Sequence, residues 1–214
     1  MVRFENCIFM KKTALSINGK SITKLLGERK LILASRSPRR AEILKKAKVK
    51  FEIKIPPNFK EESSSSDPVE HVLSLSKRKA SSVSDQVKGA IILGADTIVV
   101  LDKEILGKPQ NKEEAFLILK KLSGRTHEVY TGMTLVNEYN GKVISDYDLT
   151  EVKFNQLENN KIENYIKTGE PMDKAGAYGI QGMGGFLVES IRGSLDNVIG
   201  LPTGKLKEML IQII

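Results

Sequence analysis

The sequence predicts an α/β fold, a mixed twisted sheet flanked by helices, on three observations. Short runs rich in Ile, Val and Leu, bounded by glycine and proline, alternate with amphipathic helical spacings. Some of these runs are joined by tight turns, at Asp102-Lys103 and Asn140-Gly141, so hairpins are expected alongside single crossover strands. No Gly/Ser/Pro linker and no internal repeat divides the 214 residues, a length that suits one large domain or two lobes sharing a sheet.

Residues 1–29 read as an amino-terminal extension, mostly loosely ordered, before a domain over residues 30–214. Its basic residues, Lys11, Lys12, Lys20, Lys24 and Arg29, are interrupted by Glu5 and Glu28, which argues against a transit peptide. Leu31 to Ala34 is a strand. Ser37 is a good N-cap and Pro38 a good first helical residue, because proline lacks an N–H that would be unpaired there anyway, and Ala41, Leu44 and Ala47 supply the apolar spacing that follows. Phe51 to Ile55 is a second strand, closed by Pro56 and Pro57. After a polar loop holding Glu61, Glu62 and Ser63 to Ser66, the residues Asp67, Pro68 and Glu70 open a helix with capping-box spacing. Val69, Val72, Leu73, Ser76, Ala80 and Val83 are expected on its apolar face.

Ala90 to Leu101 is a nearly continuous apolar run and reads as a buried strand, turning at Asp102-Lys103 into a short strand at Ile105 and Leu106 that Gly107 and Pro109 end. Asn111 with Glu113 and Glu114 starts a helix whose acidic first turn suits the dipole, and Gly124 follows its end. Val129 to Phe154 is strand, turn and strand, and a helix over Glu158 to Lys167 stops at Gly169. A glycine-rich stretch from Gly176 to Gly185, a strand near Phe186 to Val188 and an amphipathic helix over Thr203 to Ile214 complete the chain.

With 40% hydrophobic residues the chain can bury a core without a disulfide or metal staple. The single cysteine, Cys7, can close neither an intramolecular disulfide nor a structural zinc site, which points to a reducing compartment and a cytoplasmic protein. No apolar run reaches the roughly 18 residues of a membrane span. The net charge of +8 favours anionic partners. Only 6% of residues are aromatic, so stacking on nucleic-acid bases has little support.

Ser35, Arg36, Ser37, Pro38, Arg39 and Arg40 lie where a strand delivers the chain to a helix amino terminus. Backbone N–H groups, hydroxyls and guanidinium forks converge at such a corner and suit phosphate, although a capped helix with surface arginines has the same pattern. Asp96 sits inside an apolar run, where a carboxylate must be hydrated, bound to a cation or paired, for instance with a lysine. Lys79 and Lys108 could aim charge into a shared cleft, or lie on the surface as most lysines do. Glu61 or Glu62 could join Asp96 around a divalent cation. In Gly176 to Gly182, glycines allow close backbone approach and Gln181 offers an amide that donates and accepts, a combination that suits a nucleobase edge. His71 and His127 lack zinc-motif spacing, and His127 reads as a structural residue.

Taken in order, L-I-L-A-S-R-S-P-R-R (Leu31 to Arg40), L-G-A-D-T-I-V-V (Leu93 to Val100), G-K-P (Gly107 to Pro109), S-G-R-T-H-E-V-Y-T-G (Ser123 to Gly132) and G-E-P-M-D-K-A-G-A-Y-G-I-Q-G (Gly169 to Gly182) resemble the Maf-like nucleotide pyrophosphatases. The block Gly169 to Gly200 resembles the eukaryotic branch, including the Maf domain of the acetylserotonin methyltransferase-like protein. The resemblance implies a two-lobed fold with a central cleft, related to the inosine triphosphatases, commonly as a homodimer. It implies hydrolysis of nucleoside triphosphates between the α and β phosphates with Mg or Mn. By motif position Ser35, Arg39 and Arg40 would hold phosphate, Lys79 and Lys108 would neutralise its charge, and Asp96 would be the catalytic carboxylate, sharing the metal with Glu61. Thr97 and Gln181 resemble the subgroup acting on dTTP, UTP and related or modified pyrimidine nucleotides. An inosine or xanthosine triphosphate pyrophosphatase, and a nucleic-acid-binding or regulatory module without turnover, stay as alternatives.

Overall fold

The computed structural model describes residues 21–56 and 65–214. They form two compact units. One consists of Ile98–Val129 and Leu149–Leu195; the other runs up to Thr97 and adds Tyr130–Asp148 and Asp196–Ile214. The expectations for Glu61, Glu62 and Cys7 lie outside the described residues.

The unit that runs up to Thr97 begins with α1 (Ile22–Leu26), β1 (Lys30–Ala34), α2 (Pro38–Lys46), β2 (Glu52–Ile53) and α3 (Pro68–Ser84). β1 pairs in parallel with β2 and with β3 (Ala90–Leu101), from Lys30 opposite Ala90 to Ala34 opposite Gly94. Four of the five β1 residues are buried, as expected of a parallel strand covered on both faces. The stretch before Lys30 is not wholly loose: α1 buries Ile22 and Leu26 and packs against α7 (Thr203–Ile213), and the Thr23 hydroxyl donates to the Lys48 carbonyl at 3.0 Å. Polar spacing hid this turn, because only two of its five side chains reach the core. The second strand is shorter than Phe51 to Ile55 implies. Only Glu52 and Ile53 pair, and Ile53 and Ile55 stay exposed.

α3 starts as the sequence predicts, with the Asp67 carboxylate accepting from the Glu70 amide at 2.8 Å. Its buried stripe is Val72, Leu75, Ser76, Lys79, Ala80 and Val83, so Val69 and Leu73, expected inside, are only half-buried. The reason is a close approach. A Cβ added at Gly94 would lie 2.2 Å from the Ser76 carbonyl oxygen, and one at Gly132 2.6 Å from the Val72 backbone. Two side-chain-free positions on the sheet thus form a groove that draws Ser76 and Lys79 into the interface.

In the other unit the end of β3 folds back on β4 (Glu104–Leu106), with Val99 opposite Leu106. Asp102 and Lys103, with φ of 51° and 68°, make the left-handed turn that a two-residue hairpin requires. α4 (Lys112–Leu122) is capped by Asn111, whose side-chain oxygen accepts from the Glu114 amide at 2.8 Å. β5 (Thr126–Asn137) and β6 (Lys142–Phe154) follow, and β5 begins early enough to include His127. After α5 (Asn159–Lys167) the chain makes short 3-10 turns at Glu170–Asp173, Ala175–Ala177 and Met183–Leu187. β7 (Val188–Arg192) pairs antiparallel with β6. It starts where the strand near Phe186 to Val188 was expected to end, because Phe186 and Leu187 complete the last of those turns. The sheet order is β2-β1-β3-β5-β6-β7, with β4 on β3. A short helix, α6 (Leu195–Ile199), precedes α7 and was not expected from the sequence. No helix among the described residues is long and apolar enough to cross a membrane.

Candidate active site

The site in the unit up to Thr97 grows from the end of β1. Ala34 is the last paired residue, opposite Gly94, so Ser35 leaves the sheet beside Ala95, with Asp96 and Thr97 the next two residues of β3. The chain then turns through Ser35, Arg36 and Ser37 into α2. Ser37 occupies the N-cap position but, unlike Asp67 and Asn111, makes no side-chain cap hydrogen bond; Pro38 follows at the first helical position. A helix amino terminus that its own cap residue does not close is suited to an anion.

Arg40 organises this corner. It is buried, 7% exposed, and its guanidinium donates in three directions: Nε to the Gly200 carbonyl at 2.8 Å, Nη1 to Ser35 Oγ at 3.1 Å and Nη2 to Thr97 Oγ1 at 3.0 Å. Ser35 Oγ also accepts from the Ser37 amide at 3.1 Å. Thr131 donates its single hydroxyl proton to the Asn197 carbonyl at 3.1 Å, so in its 3.0 Å contact with Thr97 the proton belongs to Thr97. The chain of bonds therefore has one direction, from Arg40 to Thr97 to Thr131 to the Asn197 carbonyl. Thr97 has no proton left to donate. Arg39, one residue earlier on α2, is half-buried.

Successive strand residues face opposite sides of a sheet. Thr97 accordingly meets Arg40, whereas Gly94 and Asp96 face α3. The Asp96 carboxylate is paired through Oδ1 with Lys79 Nζ at 2.7 Å, both side chains less than a tenth exposed. Lone burial of either charge would cost several kcal/mol, and the pair cancels most of that penalty. Of the two uses considered for Lys79, surface charge is excluded: it is an interior ion-pair partner.

Lys108 and Gln181, the remaining candidates, lie in the other unit. Both are exposed. Their loops are tied together: the Gly176 amide donates to the carbonyl of Gly107, next to Lys108, at 3.0 Å. Gln181 occupies a turn between Gly179 and Gly182. In the same unit His127 is fully buried, edge-on to Phe154 and Tyr178, and its Nε2 shares a 2.8 Å hydrogen bond with the Tyr178 hydroxyl. Burial pushes its pKa down from 6.5 to about 4, and among the described residues its Nδ1 finds no hydrogen-bond partner. Its role is structural, as the sequence predicts.

Sequence reasoning did not find Thr131, Asn197, Gly200 or Glu170. Thr131 inside the largely buried run Val129 to Val136 is the one visible signal, since a buried hydroxyl needs a partner.

The fold and the site define an α/β protein with an anion-suited strand-to-helix corner beside a buried carboxylate. Residues 30–213 match the family described as Maf-like protein, and the chain belongs to that family. It is 50% identical over 182 residues to the dTTP/UTP pyrophosphatase of Thermoanaerobacter sp. (strain X514), covering 85% of this chain and 95% of that one. It is 50% identical over 184 residues to the dTTP/UTP pyrophosphatase of Clostridium perfringens (strain 13 / Type A), with the same coverage. It is 52% identical over 186 residues to that of Thermococcus kodakarensis, covering 84% and 96%. The structure of the Staphylococcus aureus Ham1 protein aligns with a TM-score of 0.48 at 12% identity, over 86% of this chain and 99% of that one.

Proposed function

We propose that the protein is a nucleoside triphosphate pyrophosphatase that hydrolyses dTTP, UTP and related or modified pyrimidine nucleotides to the monophosphate and pyrophosphate. The observation that carries this reading is half-identity with dTTP/UTP pyrophosphatases over 95% of their length. In the reaction a water oxygen attacks the α phosphorus, the bond to the bridging oxygen breaks, and pyrophosphate leaves with the electron pair. Asp96 accepts the proton of the attacking water. Ser35 and Arg39, with the α2 amino terminus, hold phosphate. Arg40 holds that corner in shape and contributes positive charge to it; Lys79 and Lys108 supply further charge against the polyphosphate. Gln181 contacts the base edge, and Thr97, its proton spent on Thr131, has only a lone pair to offer.

The reading includes a divalent cation, Mg or Mn, for which Asp96 is the described carboxylate. No cluster of three or more His, Cys, Asp or Glu side chains forms among the described residues. Magnesium bound with a polyphosphate needs only one or two protein carboxylates beside phosphate oxygens and water, so Asp96 with Glu61 would suffice. When bound it would neutralise charge on the leaving pyrophosphate. A cytoplasmic homodimer is the further expectation, from the single cysteine and the family likeness.

The test is release of pyrophosphate from dTTP, UTP, CTP, GTP and ITP with metal present. Release fastest from dTTP and UTP is expected, and absence of release from every nucleotide would overturn the reading. Asp96→Asn should lower turnover by about a hundredfold to ten-thousandfold; turnover that survives the substitution removes Asp96 from the chemistry.

A further inference from the structure

The two flanks of the Gln181 turn converge on one carboxylate. Glu170 Oε2 accepts from the Met183 amide at 2.8 Å, and Oε1 accepts from the Gly184 amide at 3.3 Å and from the Tyr165 hydroxyl at 2.9 Å. That hydroxyl in turn accepts from the Gly179 amide at 3.0 Å, so the flank before Gln181 reaches Glu170 through Tyr165. Burial and the neighbouring Glu170 and Asp173 charges push the Tyr165 pKa up, so the phenol keeps the proton that it donates. The fit is close: a Cβ at Gly182 would lie 2.4 Å from Glu170 Oε2, so a side chain there would push the carboxylate aside. The carboxylate thus sits where a ligand would sit in an anion-binding nest, and the loop is wrapped around it.

We propose that Glu170 is a positioning residue that sets base preference by holding the Gly179–Gly185 loop, and with it Gln181, in a single shape. This rests on the reading of Gln181 as the base-contacting amide. Glu170 holds the amides after Gln181 directly and the amide before it through the Tyr165 hydroxyl. A carboxylate suits the task because three donors point at it; an amide would turn its own NH2 on one of them.

The experiment compares wild type, Glu170→Gln, Gln181→Ala and the double variant. It measures kcat and KM for dTTP and GTP, inhibition by inorganic tripolyphosphate, and hydrogen exchange at Met183 and Gly184. Glu170→Gln is expected to speed exchange at both amides and to lower the dTTP-over-GTP preference about tenfold, chiefly through KM for dTTP. It should leave tripolyphosphate inhibition as in wild type, because that probe has no base. The double variant should discriminate no worse than Gln181→Ala alone, since both changes cut the same link. Glu170→Asp, which keeps the charge but withdraws it by one methylene, should shift preference in the same direction by less, and it serves if the glutamine variant does not fold. Proportional loss on every nucleotide, or losses that multiply in the double variant, would mean that Glu170 only supports the fold. If wild type cleaves no nucleotide, the base-reading role of Gln181 falls and this proposal with it; if wild type discriminates and Glu170→Gln discriminates equally, this proposal alone falls.

Discussion

Lys79 and Asp96 form a buried ion pair at 2.7 Å. Removing Lys79 takes the ammonium from a buried Asp96 carboxylate, whereas removing both exchanges an ion pair for uncharged groups. Lys79→Met is therefore expected to cost about 3 kcal/mol in urea unfolding, and the Lys79→Met/Asp96→Asn double variant less than the sum of the two singles. Additive losses would show that the pair is not coupled. The sequence displayed half of this relation. A carboxylate within Ile91 to Leu101 had to have a partner, and a lysine was among the options, but 17 residues separate the two and only the helix register over Gly94 selects Lys79. Thr97 illustrates the opposite limit. Its donor is 57 residues away and its acceptor 34, and no periodicity relates β1, α2, β3 and β5 positions in advance.

At the level of elements, α3 is seated by the absence of side chains beneath it. Gly94→Ala would place a methyl against the Ser76 carbonyl and the Ala80 backbone, both in a regular helix turn that cannot give way locally. An expected loss of about 1–3 kcal/mol follows, measured from the denaturation midpoint, together with displacement of Lys79 from Asp96 and a fall in activity. Wild-type stability in that variant would mean that α3 slides freely over the sheet. The same packing explains which boundaries were legible. Caps written in local chemistry, at Asp67 and Asn111, and the Asp102-Lys103 turn were readable because each is settled within a few residues, whereas the turn expected at Asn140-Gly141 widens to the four residues between Asn137 and Lys142, of which Gly141 is left-handed. The buried stripe of α3 and the start of β7 were not, because the first is rotated by contact with glycines elsewhere and the second is delayed by the 3-10 turn over Met183–Leu187.

For the molecule as a whole, His127 writes a pH dependence into stability. Its folded pKa of about 4 lies below the ordinary 6.5, so between these values the unfolded chain binds the extra proton. Its contribution is fully present above pH 6.5 and is lost as pH falls towards 4, up to about 3 kcal/mol in all and about 2 kcal/mol by pH 5. Urea unfolding of wild type and His127→Gln at pH 7.5 and pH 5 isolates the effect: the difference between the two proteins should shrink by about 2 kcal/mol on acidification. A difference that stays constant would show that the imidazole is protonated in the fold.

The hairpin between β3 and β4 offers a route to heat tolerance. Lys103 is exposed and holds a φ of 68°, a conformation that costs a side-chain-bearing residue about 1 kcal/mol and glycine almost nothing. Lys103→Gly should raise the melting temperature by about 2–4 °C with catalytic rates unchanged, a margin on which less tolerant substitutions elsewhere in the enzyme could then be carried.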